Sequence, residues 1–230
     1  MRRISEGMPG GHDLRAIEVG ERLWAIVQSV PEADYRETAL TQGLQNLDWV
    51  GPRAIAHERV IESFLAARGL LPMPLFTSDD RAVQHVQSDG TRIRRLLKRV
   101  EGKVEWGLRL TFDEKAARRK VSSRPVMSGT EFLARKRDVL GINRTRLKDA
   151  RGAADRVYKS ISRLVTAAQR RTSLERVAPG SRLLLDAAFL VPAGKSGAFR
   201  SAVRQQTRDL RAMGTAVSLT GPWPPYNFIE

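Results

Sequence analysis

The chain has 230 residues, 41% of them hydrophobic and 28% charged, no cysteine, and a formal charge of +15. That length and hydrophobic share predict one large or two small folded domains and exclude a disordered chain, and no stretch approaches the ~20 consecutive apolar residues that cross a bilayer. The missing cysteine excludes disulfides, thiol catalysis and cysteine-ligated zinc or iron–sulfur centres, and Pro9-Gly10-Gly11 stands where a signal peptide needs its apolar segment, so the chain reads as cytoplasmic.

Residues 14–19 and 23–27 are short β-leaning runs joined by Gly20-Glu21-Arg22, which predicts a hairpin. Ser29-Val30-Pro31-Glu32 puts a capping-type serine and an early proline ahead of a helical stretch, and a second helix is expected over 48–67, stopped by Gly69. Residues 70–76, Leu-Leu-Pro-Met-Pro-Leu-Phe, read as an apolar strand whose two prolines confine it to a sheet edge. Ser78-Asp79-Asp80 predicts the cap of a helix running to about Val100, with Val83, Val86, Ile93, Leu96 and Leu97 on its apolar side. Residues 104–112 return to strand, with Trp106 and Phe112 on one face by parity and expected in the core.

Leu140, Leu147, Ala150, Ala154, Val157, Ile161, Leu164 and Ala168 then recur at three-four spacing, which predicts one long basic amphipathic helix over 128–171, weakened at Gly141 and Gly152. A short strand at 173–177, a Pro179-Gly180 turn, a strand at 183–191, a helix at 196–212 and a strand at 215–220 complete the chain. From residue 104 the order is strand, helix, two strands, helix, strand, that of a ferredoxin-like unit. The expected fold class is therefore α+β in two lobes: a smaller N-terminal α+β lobe over 1–103 and a C-terminal ferredoxin-like lobe over 104–230, ending in an aromatic, proline-rich tail at 221–230.

Charge is concentrated. Residues 92–171 hold 24 Lys and Arg against 8 Asp and Glu, a net of +16, and the rest of the chain is almost neutral. Such a field draws nucleic acid, anionic lipid or an acidic protein surface without choosing among them, or is an Arg-rich solvated helix face; Arg135, Lys136 and Arg137 stand for it as partner-binding candidates. No catalytic constellation accompanies it. His12, His57 and His85 are scattered without a second histidine at ligand spacing, so no metal site is expected, and no nucleophile elbow or carboxylate pair stands out. Gly194-Lys195-Ser196 imitates a phosphate loop, but Phe189 occupies the position of its leading glycine; the tripeptide reads as a strand-to-helix turn with Ser196 as N-cap. No catalytic, cofactor-binding or metal-ligating residue is assigned, no cofactor is expected, and the chain reads as a non-enzyme.

In the tail, Pro222, Pro224 and Pro225 impose an extended path without hydrogen bonds of its own, to be held by Trp223, Tyr226 and Phe228. These rings either cover the chain's own core or offer an aromatic surface to a partner. The string Thr220-Gly221-Pro222-Trp223-Pro224-Pro225-Tyr226-Asn227-Phe228 resembles the C-terminal motif of the GvpL/GvpF gas vesicle proteins. Four further segments resemble that family's internal signatures in order, over about residues 14–230: residues 71–77, Val104-Glu105-Trp106-Gly107-Leu108, Ser128-Gly129-Thr130-Glu131-Phe132-Leu133, and residues 185–191. Two features depart from the family pattern. Its aromatic first strand is replaced by Met1-Arg2-Arg3 and a glycine-rich segment, so the N-terminal lobe is expected to lack that strand, and the basic stripe suggests a different acidic partner.

The resemblance implies an accessory or minor structural protein of gas vesicle formation. It would be cytoplasmic and vesicle-associated, and bind the small hydrophobic shell protein and other gas vesicle accessory proteins, with no membrane or small-molecule substrate. Shell subunits are prone to edge-to-edge strand pairing, so a protein that shields or seeds them needs an exposed strand edge or an apolar patch. Leu75 and Phe76, with Trp223, Tyr226 and Phe228, are the candidates for such surfaces. The alternative is a nucleic-acid-binding module using the 92–171 stripe.

Overall fold

In the computed structural model, which describes residues 7–74, 79–114, 128–172 and 178–229, the opening hairpin forms as its turn dictates. Strand β1 (His12–Gly20) pairs antiparallel with β2 (Leu23–Ser29), setting Ile17 opposite Ala25 and Gly20 opposite Leu23, and Arg22 takes a positive φ of 56° to close the turn. The chain divides into two compact units: Met1–Gly102 with Trp223–Glu230, and Lys103–Pro222. The tail thus goes with the first unit, where the sequence reading had carried it with the second.

The first unit continues through α1 (Glu32–Tyr35), α2 (Glu37–Gly43), α3 (Leu47–Ser63) and α4 (Asp79–Val100). The serine expected to cap the first helix does not: Pro31 is the N-cap, and the Ser29 hydroxyl accepts from Arg15 at 2.9 Å. Helix α3 is capped by Asn46, whose side chain accepts from the Asp48 amide at 2.9 Å. It ends at Ser63, four residues before the expected 67, in a turn closed by the Ala67 amide on the Phe64 carbonyl. Gly43 is required where it stands, since a Cβ there would lie 2.5 Å from the Trp49 ring. The Arg53 guanidinium covers that ring at 3.9 Å and Tyr35 at 5.3 Å.

The strand expected over 70–76 is a further correction. Residues 70–74 are irregular, because Pro72 and Pro74 lack the amide a ladder needs; Leu75, Phe76 and the Ser78 cap lie outside the described residues. Helix α4 is interrupted at Asp89 (φ −111°, ψ 18°), so its apolar side is carried by two segments. The expected loss of a first strand concerns the chain ahead of β1, where residues 1–6 also lie outside the described residues.

The second unit is built from β3 (Lys103–Asp113), α5 (Gly129–Ser162), β4 (Ala167–Arg170), β5 (Ser181–Pro192), α6 (Ser196–Gln206), α7 (Arg208–Ala212) and β6 (Thr215–Trp223). The sheet order β4-β5-β3-β6 is that of a ferredoxin-like unit, with the first and third of its four strands paired at the centre. Strands β3 and β5 run antiparallel from Lys103 opposite Pro192 to Asp113 opposite Ser181, with an irregularity between Leu110 and Thr111. The long helix ends at Ser162, not 171: Val165 and Thr166 are β-branched, the Thr166 amide bonds the Leu190 carbonyl, and Ala168 is a strand residue opposite Phe189. The strand expected at 173–177 falls outside the described residues, and β4 occupies its place in the order. The helix expected over 196–212 is two, divided at Thr207, whose buried hydroxyl donates back to the Val203 carbonyl at 2.8 Å.

Even-numbered β3 residues Val104, Trp106, Leu108 and Leu110 face the helices and meet Ala154, Val157, Ile161, Phe199 and Leu210 in one core. Trp106 is buried in that core, and Phe112 is buried against Ala150 of α5 in a second, smaller cluster. Phe189 stands 5.7 Å from Phe199 and 5.9 Å from Tyr158, ring to ring.

Candidate partner-binding surfaces

The tail resolves into two kinds of residue. Gly221 has a φ of +125°, and a Cβ on it would lie 2.8 Å from the Glu105 carbonyl oxygen and 3.2 Å from the Trp106 ring, so only glycine serves at this exit. The Gly221-Pro222 bond is cis. Contrary to expectation, the tail makes hydrogen bonds of its own: the Tyr226 amide donates to the Pro224 carbonyl at 2.8 Å and the Phe228 amide to the Pro225 carbonyl at 3.1 Å. Phe228 is 2% exposed, and Tyr226 is half-buried and donates its hydroxyl to the Glu58 carboxylate at 2.5 Å. These two side chains pack the first unit. Trp223 is 37% exposed and remains the tail's accessible aromatic.

Of the basic candidates, Arg135, Lys136 and Arg137 all lie on α5, and the Arg137 side chain is exposed. Leu75 and Phe76 are not among the described residues. The structure adds exposed apolar side chains that were not singled out from the sequence: Trp24 on β2, Leu44 after α2, and Leu47 and Ile55 on α3. The signal for Leu47 lay in the capping position before it: a first-turn residue behind an Asn cap has no preceding turn to cover it.

Sequence reasoning also missed an ion cluster on the sheet face opposite the helices. Asp186 is buried and stands opposite Arg109 in the β3–β5 register. One carboxylate oxygen accepts from Arg109 Nε and Nη2 at 3.2 and 2.8 Å, the other from Arg171 Nε and Nη2 at 2.8 and 2.5 Å. Burial pushes the Asp186 carboxyl up, but these four bonds and the two positive charges outweigh it and hold the group below its ordinary value. A Cβ at Gly107 would press to 3.2 Å from Arg171 Nη2 and 2.8 Å from Thr220 Oγ1, so the glycine leaves room for the arginine. The cluster ties β3 and β5 to Arg171, the residue that follows β4.

His12 is exposed on β1, His57 is half-buried on α3, and His85 belongs to α4. Burial lowers the affinity of His57 for a proton, partly offset by Glu58. Among the described residues no group of three His, Asp or Glu side chains could hold a metal. The decoy tripeptide forms a short 3₁₀ turn, Ala193–Lys195; Ser196 is not the N-cap, and its hydroxyl instead accepts from the Trp106 indole N–H at 3.3 Å. No helix among the described residues is long and apolar enough to cross a membrane.

Comparison with known proteins gives a consistent result. Residues 2–230 match the profile of the gas vesicle synthesis protein family GvpL/GvpF. Gas vesicle protein L of Streptomyces sp. (strain CB03234) is 33% identical over 233 residues, covering 95% of this chain and 84% of its own length. The crystal structure of the gas vesicle protein GvpF from Anabaena sp. PCC7120 superposes with a TM-score of 0.63 at 16% identity, over 94% of this chain and 85% of that one. That of GvpF from Microcystis aeruginosa gives 0.61 at 12% identity, over 98% and 91%. At those identities the two structures speak for the α+β fold alone.

Proposed function

The chain belongs to the GvpL/GvpF family of gas vesicle synthesis proteins, and from that premise we propose that it is a non-enzymatic accessory or minor structural protein that binds the small apolar shell protein and other gas vesicle accessory proteins during assembly. The observation that carries this reading is the family match across residues 2–230. Its proposed site of action is the growing vesicle. Apolar shell subunits need a partner that shields them before they pair edge to edge, and Trp223 is the side chain best suited to begin such a contact. It is a large aromatic 37% exposed, fixed on a rigid path between Pro222 and the buried Pro224, so little conformational entropy is lost on binding.

The test is capture of purified shell and accessory proteins by the immobilised full chain at 50 and 150 mM salt. Capture of at least one of them at both salts, weakened about tenfold by Trp223→Ala with an unchanged melting temperature, is the expected result, since truncating an aromatic anchor costs on the order of 1–2 kcal/mol or more. Absence of capture at either salt would overturn the reading.

A further inference from the structure

Helix α5 carries a row of cations that the fold does not use. At 100° per residue, Arg137, Arg144, Lys148, Arg151 and Lys159 fall within a sector of about 80°, directed away from the line of Ala150, Ala154, Val157 and Ile161 that is buried on the sheet. The row spans about 33 Å at 1.5 Å per residue, and all five side chains are exposed. Among the described residues none of them has an ion-pair partner. Asp155 interrupts the row, and it is engaged by Arg170 at 2.6 Å, whose guanidinium in turn lies 4.6 Å over the Tyr158 ring.

Arg144 and Lys148 stand at i,i+4, and Lys148 and Arg151 at i,i+3, so like charges sit where a solvated helix gains from opposite ones. A helix that keeps this repulsion has its compensating charge elsewhere. We propose that the solvent face of α5 is a docking surface for an acidic helical segment of another protein, with Asp or Glu repeated at three-four spacing to meet Arg144, Lys148, Arg151 and Lys159.

Charge complementarity alone would admit four polyanions, and the surroundings of the row separate them. Single-stranded nucleic acid binds through stacking aromatics, whereas Tyr158, the aromatic within this stretch, is half-buried between Arg170 and Phe189. A duplex reads a helix that enters its major groove, about 12 Å wide; α5 has one flank fixed on the sheet through Ala154, Val157 and Ile161 and cannot be surrounded by groove walls. A lipid surface takes a helix with an apolar face to insert, and among the described side chains of α5 no large hydrophobic is exposed. A second helix needs only a facing row at matching rise, which the 144, 148, 151, 159 spacing supplies.

The experiment measures fluorescence anisotropy of labelled ligands with the full chain at 150 mM salt. The ligands are a 21-residue alanine-based peptide with Glu at i, i+4, i+7 and i+15, an isomer of the same composition with its glutamates spread round the helix, a 20-base-pair duplex, and phosphatidylserine vesicles. The in-register peptide should bind at least tenfold more tightly than its isomer and more tightly than duplex or vesicles. The Lys148→Glu/Lys159→Glu variant should lose at least tenfold of that affinity, and Lys148→Gln/Lys159→Gln a smaller part; should the first fail to fold by circular dichroism, the second decides. A peptide ratio below tenfold, tighter binding of duplex or vesicles, or variants that bind unchanged would overturn the proposal. The outcome is separate from that of the Trp223 experiment, which concerns a different surface.

Discussion

Asp186 is the residue on which the sheet face of the second unit depends. Its carboxyl is held below its ordinary 3.8 by Arg109 and Arg171 in spite of burial, so its folded affinity for a proton is lower than its unfolded one. The stability it contributes is therefore complete above about pH 4 and is lost as pH falls through the lowered folded value. Asp186→Asn leaves two arginines facing each other. Because both are about 30% exposed, the cost falls below that of a fully buried pair and should be about 2–3 kcal/mol at pH 7. Urea unfolding of both proteins from pH 7 to pH 2 reads the effect: the wild type should lose stability steeply below pH 4, and the variant should start lower and run flatter. Parallel curves would mean that the cluster carries no linked proton. His57 has the same sign at a higher pH, since burial outweighs Glu58 and lowers it from 6.5. Its contribution should fade as pH drops below about 6.5, and His57→Gln should flatten that part of the curve. At Gly221, where φ is +125° and the Glu105 carbonyl leaves no space for a Cβ, alanine should cost at least ~2 kcal/mol by thermal or urea melts.

At the level of elements, sequence period was a good guide wherever packing obeyed it and a poor one where a neighbouring strand intervened. The three-four spacing through Ile161 marks the buried side of α5, but the same spacing continues to Leu164 and Ala168, which the helix does not reach. Pairing of 167–170 with β5 overrides it, and nothing local to Ala168 reports a partner twenty residues on. The proline-bearing segment 70–76 looked like a strand because apolar content says nothing of missing amides. Thr207 ends α6 through a side-chain bond that propensity could have suggested, since a threonine bonding back four residues weakens a helix. The basic stripe was visible as composition, whereas its alignment on one face of α5 required the helix itself. The like-charge neighbours on that face make a prediction of their own. Relief of the Arg144–Lys148–Arg151 repulsion by Lys148→Glu should stabilise the free protein by about 0.5–1 kcal/mol, two pairs at a few tenths each changing sign. Salt should narrow the difference between variant and wild type in thermal melts.

Over the whole molecule, the sequence indicated an α+β fold and the strand order of the second unit, because alternation and turn residues are local. It did not indicate which unit the last residues join. Following β6 in the chain, residues 223–230 read as an extension of the second unit, yet Tyr226 donates to Glu58 of α3 and Phe228 is buried, contacts 168 residues apart in sequence for the first of these. Removing residues 223–230 should therefore act on the first unit. Loss of a buried phenylalanine alone costs about 3–5 kcal/mol, and loss of a hydrogen bond to the Glu58 carboxylate adds about 1.5 kcal/mol. In hydrogen exchange, the amides of α3 should lose several kcal/mol of protection, a rate increase of at least a hundredfold, while the amides of β3 and β5 keep theirs. A fall shared equally by α3 and the β3–β5 pair would mean that the two units unfold as one and that the tail stabilises both.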